Sequence, residues 1–187
     1  MESMSREPGD KKIMETKMKH LIILCAPCGT GKSTVNQIFK SRGLLPDYAT
    51  LDSDDIDISW LDYKDTERED QYYTDNLKRA VEIAGDKNLL LVSAGMNPIN
   101  FYEKVELSSE ITDTHFIAMV CSDEEIRKRL KARPAERNCG SDEFIQSQIE
   151  YAAWFKKNRG KFQKFIDNTG QRPEETAEII AEFVKGI

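Results

Sequence analysis

The chain has 187 residues, 39% of them hydrophobic and 32% charged, and a net charge of -6. That length fits one α/β domain with a sizeable core better than two full domains. No apolar run approaches the roughly 20 residues that cross a bilayer and no signal-peptide core opens the chain, so a soluble cytoplasmic protein is expected, while the acidic balance argues against long nucleic acid held by bulk electrostatics.

Residues 1 to 17 are polar and lack sustained periodicity, which predicts a disordered extension or an alternative start, dispensable for chemistry. Residues 18 to 187 then read as one domain. The apolar run Leu21 to Cys25 has the length of a buried strand and breaks into Ala26-Pro27-Cys28-Gly29-Thr30-Gly31-Lys32-Ser33-Thr34. A helical pattern (Val35, Ile38, Phe39) follows at once.

This is the pattern of a phosphate-binding loop, with Ala26 where its first glycine usually stands. Gly29 and Gly31 let the backbone curl so that N–H groups point inward, and the helix from Lys32 adds the positive end of its dipole. Lys32 would reach the β- and γ-phosphates, and the Ser33 hydroxyl would complete a magnesium shell. Cys28, Gly29, Thr30, Gly31, Lys32, Ser33 and Thr34 are therefore the expected nucleotide contacts.

Four cysteines (25, 28, 121 and 139) lack the spacing of a disulfide framework. Cys25 to Cys28 does read C-x-x-C, but a disulfide there would distort the turn that must cradle phosphate. Zinc would need a second close Cys or His pair, which is missing.

After Gly43, Tyr48 to Leu51 predicts a short second strand that runs into Asp52-Ser53-Asp54-Asp55. Carboxylates at the end of a parallel strand lie where open α/β sheets bind ligands. The next stretch, to Asp70, is acidic and carries Trp60 and Tyr63. It reads either as a solvated face or as an aromatic acceptor pocket.

A helix opening at Tyr72 and Tyr73 leads to the apolar third strand, Asn88 to Val92, which ends in Ser93-Ala94-Gly95-Met96-Asn97-Pro98. No Asp ends this strand, so Asp52 or Asp54 is the nearest carboxylate to support a metal. His115 to Val120 predicts the fourth strand, and Ser122 with Glu125 forms a capping box for the following helix. Arg129 and Arg133, four apart on that helix, share one face and can converge on a transferred phosphoryl group. A loop from Pro134 to Gly140 makes the segment from about 129 to 141 a candidate lid. A long helix from Ser141, a fifth strand Lys164 to Asp167, the turn Asn168 to Gln171 and a helix opened by Pro173-Glu174-Glu175 complete the chain.

The phosphate loop, the carboxylates after the second strand and the arginines after the fourth resemble the nucleoside-monophosphate-kinase-like group of P-loop kinases, nearest the shikimate and gluconate kinase branch. The resemblance implies a three-layer α/β P-loop NTPase fold with a parallel sheet in the order 2-3-1-4-5 and a helical lid. It also implies ATP and Mg²⁺ as cofactors, with magnesium on Ser33 and, through water, on Asp52. Asp54 would orient or deprotonate the acceptor hydroxyl within an acceptor region at about 53 to 84. Arg129 and Arg133 match the lid arginines, and Asn168 and Thr169 match the loop that receives adenine.

After the third strand the chain departs from the group, with Gly95 and Asn97 in place of a glycine run or an Asp-Gly-x-Pro-Arg motif. Asn97 offers only neutral hydrogen bonds, which favours an uncharged or weakly charged acceptor such as a nucleoside, sugar or polyol. The expected activity is ATP-dependent phosphoryl transfer to a small-molecule hydroxyl, by a monomer or homodimer. A nucleoside monophosphate kinase drawing on Lys64, Arg68, Lys78 and Arg79 and a non-enzymatic nucleotide-binding regulator are the alternatives.

Overall fold

The computed structural model describes residues 19–187, so the predicted N-terminal extension lies outside the described residues. Five strands form one sheet: β1 (Lys19–Cys25), β2 (Tyr48–Asp52), β3 (Asn88–Ser93), β4 (Ile111–Val120) and β5 (Lys164–Asp167). Their order is β2-β3-β1-β4-β5, with every pairing parallel. The helices are α1 (Lys32–Arg42), α2 (Gln71–Ala84), α3 (Pro98–Lys104), α4 (Asp123–Lys131), α5 (Asp142–Lys157) and α6 (Pro173–Lys185).

Alternation along β1 divides its side chains between two cores. Leu21, Ile23 and Cys25 face the side covered by Leu77 and Ala80 of α2 and by Phe155 of α5. Ile22 and Leu24 face Val35 and Phe39 of α1 and Ile180 and Val184 of α6. A strand buried on both faces must be apolar throughout, and β1 is fully buried from Leu21 to Cys25. A third apolar cluster joins Ile126 and Leu130 of α4 to Ile145 and Ile149 of α5.

Register decides where the chemistry gathers. Cys25 pairs with Ser93 and Ala118, Asp52 with Val92, and Val120 with Asp167. The loops after all five strands therefore open on one edge of the sheet, the edge at which open α/β sheets take their ligands.

Two elements differ from the sequence reading. The fourth strand begins at Ile111, four residues before His115, because Ile111, Asp113 and Thr114 pair with β1 although the stretch is polar after Ile111. Residues after Asn97 form a helix, with the Asn97 carboxamide accepting the N–H groups of Ile99 and Asn100 at 3.0 and 3.1 Å and Pro98 in the first turn. Among the described residues no helix is long and apolar enough to cross a membrane.

Candidate functional site

The loop between β1 and α1 is built on two residues in the left-handed region, Gly29 at φ 88° and Gly31 at φ 95°. A side chain at Gly29 would put its Cβ 3.0 Å from Leu130 Cγ and 3.3 Å from the Ile126 carbonyl oxygen. The loop is thus pressed against α4. Thr30 Oγ1 donates to the Pro27 carbonyl at 2.9 Å, and the Cys28 N–H donates to Gln148 Oε1 of α5 at 2.9 Å.

Lys32 opens α1 with only 5% of its surface exposed. Among the described residues its ammonium makes no ion pair, and its recorded neighbour is the Cys28 thiol at 3.9 Å. The first turn of α1 holds no acidic residue, and Gly31 provides no side-chain cap. Free N–H groups and a buried, unpaired cation converge here, an arrangement that calls for an anion such as phosphate. Ser33 and Thr34 follow on the exposed side of the helix.

Asp52 is buried at the end of β2, and its Oδ1 accepts the Asp54 N–H at 3.2 Å. Asp54 is exposed at the sheet edge. Loss of water around its carboxyl and the Asp52 charge raise its pKa above the ordinary 3.8; Asp55 also raises it, whereas Lys32 and Arg137 lower it. Asp54, Lys32 and Arg137 thus share one field. Among the described residues no group of three or more His, Cys, Asp or Glu side chains is arranged to hold a metal alone. Ser33 and Asp52 fit magnesium in another way, since that ion is commonly held by one or two protein oxygens together with substrate phosphates.

The two predicted arginines part company. Arg129 turns back to the loop, donating to the Thr30 carbonyl at 3.0 Å and pairing with Glu125. Arg133 instead approaches Cys139 Sγ at 3.9 Å. Their four-residue spacing puts them on one helical face, but α4 ends at Lys131, so Arg133 follows the chain out of the helix. Arg137, absent from the predicted site, is the arginine whose charge reaches Asp54.

Arg129 lines a hollow of about 160 Å³ with Gly31, Thr34, Asn168 and Pro173. Asn168 is 4% exposed, and its Nδ2 donates to the Thr30 carbonyl at 3.0 Å while its Oδ1 has no partner among the described residues. Thr169 instead turns its hydroxyl to Asp167 at 2.6 Å. Glu125 joins the parts, with one oxygen on Arg129 and the other accepting the Gly170 N–H at 2.9 Å. Its place four residues before Arg129 is the sequence signal for this role.

Gly95 and Asn97 line a larger cavity of about 650 Å³, together with Cys28, Asn100, Gln148 and Trp154. Tyr151 OH donates to the Ala94 carbonyl at 2.8 Å and accepts from Asn97 Nδ2 at 3.0 Å; burial raises its pKa. Asp54 lines a separate hollow of about 360 Å³ with Trp60 and Tyr72. Burial and the Asp54 charge push the Tyr72 hydroxyl up to about 12. Between the hollows stands Tyr73, its ring centroid 5.5 Å from that of Tyr72, and a Cβ on Gly95 would lie 2.9 Å from its Cε1.

The four cations considered for a phosphorylated acceptor are largely exposed, and each has a carboxylate beside it. Lys64, Arg68, Lys78 and Arg79 pair with Asp65, Asp75, Glu106 and Asp57, respectively.

A glycine-bearing loop running from the central strand of a 2-3-1-4-5 parallel sheet into a helix places the protein among the P-loop α/β proteins. Residues 22–150 match the family model described as the AAA domain, and the chain belongs to that family.

Its fold is similar to that of a tunicamycin resistance protein from Deinococcus radiodurans, with TM-score 0.61 and 16% identity over 89% of this chain and 95% of that one. It is similar also to a shikimate kinase from Acinetobacter baumannii, with TM-score 0.60 and 19% identity over 91% and 95% of the two chains. A gluconokinase from Sinorhizobium meliloti gives TM-score 0.55 and 12% identity over 88% and 90%. The fold is therefore the one that the small-molecule kinase resemblance implied. A search of the curated proteins finds no match.

Proposed function

We propose that the protein is an ATP-dependent phosphotransferase that moves the γ-phosphoryl group to a hydroxyl of a small molecule. The observation that carries this reading is Lys32, a buried cation without an ion-pair partner among the described residues, at the uncapped start of a helix. A triphosphate supplies the missing charge. The roomy neutral cavity beside the loop supplies space for an acceptor, which a mere nucleotide-binding switch does not need.

In this reading the N–H groups around Gly29 and Gly31 hold the β-phosphate, and Lys32 bridges it to the γ-phosphate. Bound through Ser33, with Asp52 behind it, magnesium supplies neutralisation of charge on the phosphates. The base of the nucleotide enters the hollow between Arg129 and Pro173, where Asn168 Oδ1 is free to accept from an amino group. Arg129 is thus assigned to holding the nucleotide and the loop, and Arg137 takes the place beside the reacting groups first given to Arg129 and Arg133. Asp54 orients the acceptor hydroxyl and takes its proton; its raised pKa makes it a better base than an ordinary Asp.

The test is release of ADP by the purified chain with magnesium and ATP, screened over alcohols of different classes. Lys32→Ala should lower transfer by about 100-fold or more, as loss of a group that stabilises transition-state charge does. Full activity in that variant, or a slow basal ATPase that no alcohol stimulates, would overturn the proposal.

A further inference from the structure

The cavity of about 650 Å³ has the size of sites that enclose drug-sized molecules. Its apolar walls are Ile99, Phe144, Tyr151 and Trp154, contributed by α3 and α5. Among the described residues no charged side chain lines it. Its amides are largely occupied in holding the walls together: Asn97 caps α3 and bonds Tyr151, Asn100 Nδ2 donates to the Gly95 carbonyl at 2.9 Å, and Gln148 Oε1 takes the Cys28 N–H.

A carboxylate or phosphate held here would meet no cation among the side chains that line the cavity, whereas the aromatic walls favour an apolar ring. The neighbouring hollow sharpens the selection, since it presents Asp54, Asp57 and Asp62. Of the cations near that hollow, Arg79 is paired with Asp57, and Lys32 and Arg137 are assigned to the nucleotide and the transferred phosphoryl group.

We infer that the acceptor is a neutral alcohol built on a flat ring, either a heterocycle or an arene, whose apolar face lies against Trp154 and Phe144. Sugar acids and already phosphorylated alcohols are rejected. The inference rests on the phosphotransfer reading for the reaction but on the cavity alone for the ligand. In the reaction the hydroxyl oxygen forms a bond to the γ-phosphorus. The bond from that phosphorus to the β,γ-bridging oxygen breaks, ADP leaves with the electron pair, and the hydroxyl proton passes to Asp54.

Binding can be measured without turnover. The full chain, with magnesium and a non-hydrolysable ATP analogue, is titrated calorimetrically with thymidine and salicyl alcohol as neutral probes. Shikimate, gluconate and thymidine monophosphate serve as charged ones. A neutral probe should bind about tenfold or more tightly than any charged one, a gap of about 1.4 kcal/mol. Trp154→Ala should weaken that probe by a similar factor, and Ile99→Arg should shift preference towards shikimate or gluconate, with a thermal melt establishing that each variant is folded.

Equal or tighter binding of a charged probe, no binding of any probe, or an unchanged neutral affinity in folded Trp154→Ala would overturn the inference. With labelled ATP the two readings separate. Transfer to gluconate keeps the kinase and overturns the neutral acceptor, whereas tight binding of a neutral alcohol that is never phosphorylated supports the ligand class and overturns the kinase.

Discussion

Gly29 carries two demands at once, a left-handed backbone and an approach to α4 that a methyl group would crowd, its Cβ 3.0 Å from Leu130 Cγ. Gly29→Ala should therefore cost about 2 to 4 kcal/mol in urea unfolding, the sum of backbone strain and overpacking. Gly43, also left-handed but with nothing within 4 Å of its built Cβ, isolates the backbone share, so Gly43→Ala should cost about 1 to 2 kcal/mol.

Asp54 makes a prediction of a different kind. A carboxyl whose folded pKa is raised contributes stability that is present below the unfolded value near 3.8 and lost as pH rises through the folded value. Asp54→Asn should thus melt higher than the parent at neutral pH, with the difference shrinking as pH falls towards 3.8. An equal shift at every pH would assign the effect to packing instead. Lys32 and Asp54 were legible because their meaning lies in neighbours along the chain. Gln148 and Tyr151 were not, since each gains its role from a backbone group 57 or more residues away.

At the scale of elements, apolar periodicity located β1, β3 and α5 because those segments bury most of their length or one stripe. It missed α3, seven residues long, for which the Asn97-Pro98 start was the available signal. It also shortened β4, whose polar first half earns its strand from pairing with β1. The loop after α4 separates Arg133 from the face it shares with Arg129, and helical spacing holds only as far as the helix does. Helix α5 lines the cavity of about 650 Å³ and also holds the loop between β1 and α1 through Gln148. Gln148→Ala leaves the Cys28 N–H without that partner, a loss of about 1 to 3 kcal/mol if the site stays dry. Calorimetric titration with ATP should show weaker binding in the variant; unchanged affinity would mean that the loop holds its shape without α5.

For the whole molecule, strand order came with the resemblance to P-loop kinases and agrees with the sheet, while the alternation of strands and helices by itself indicated parallel pairing. The boundary between the two hollows was not legible, since it depends on how α2 leans on the loop after β3. A nucleotide that binds only the folded protein stabilises it by mass action, by about 2.7 kcal/mol at a hundred times its Kd. Magnesium and ATP should raise the melting temperature by about 5 to 10 °C, and Lys32→Ala should remove most of that rise.

The Tyr73 ring meets Gly95 of the larger hollow on one side and Tyr72 and Trp60 of the smaller on the other. It narrows the way from one hollow to the other. Trimming it to alanine would widen that way, admitting bulkier guests whose hydroxyl sits by Asp54 while their far end rests on Trp154. Bulk at position 95 would push the ring the other way. The range of molecules this protein accepts can thus be altered at one door frame without touching the phosphate machinery.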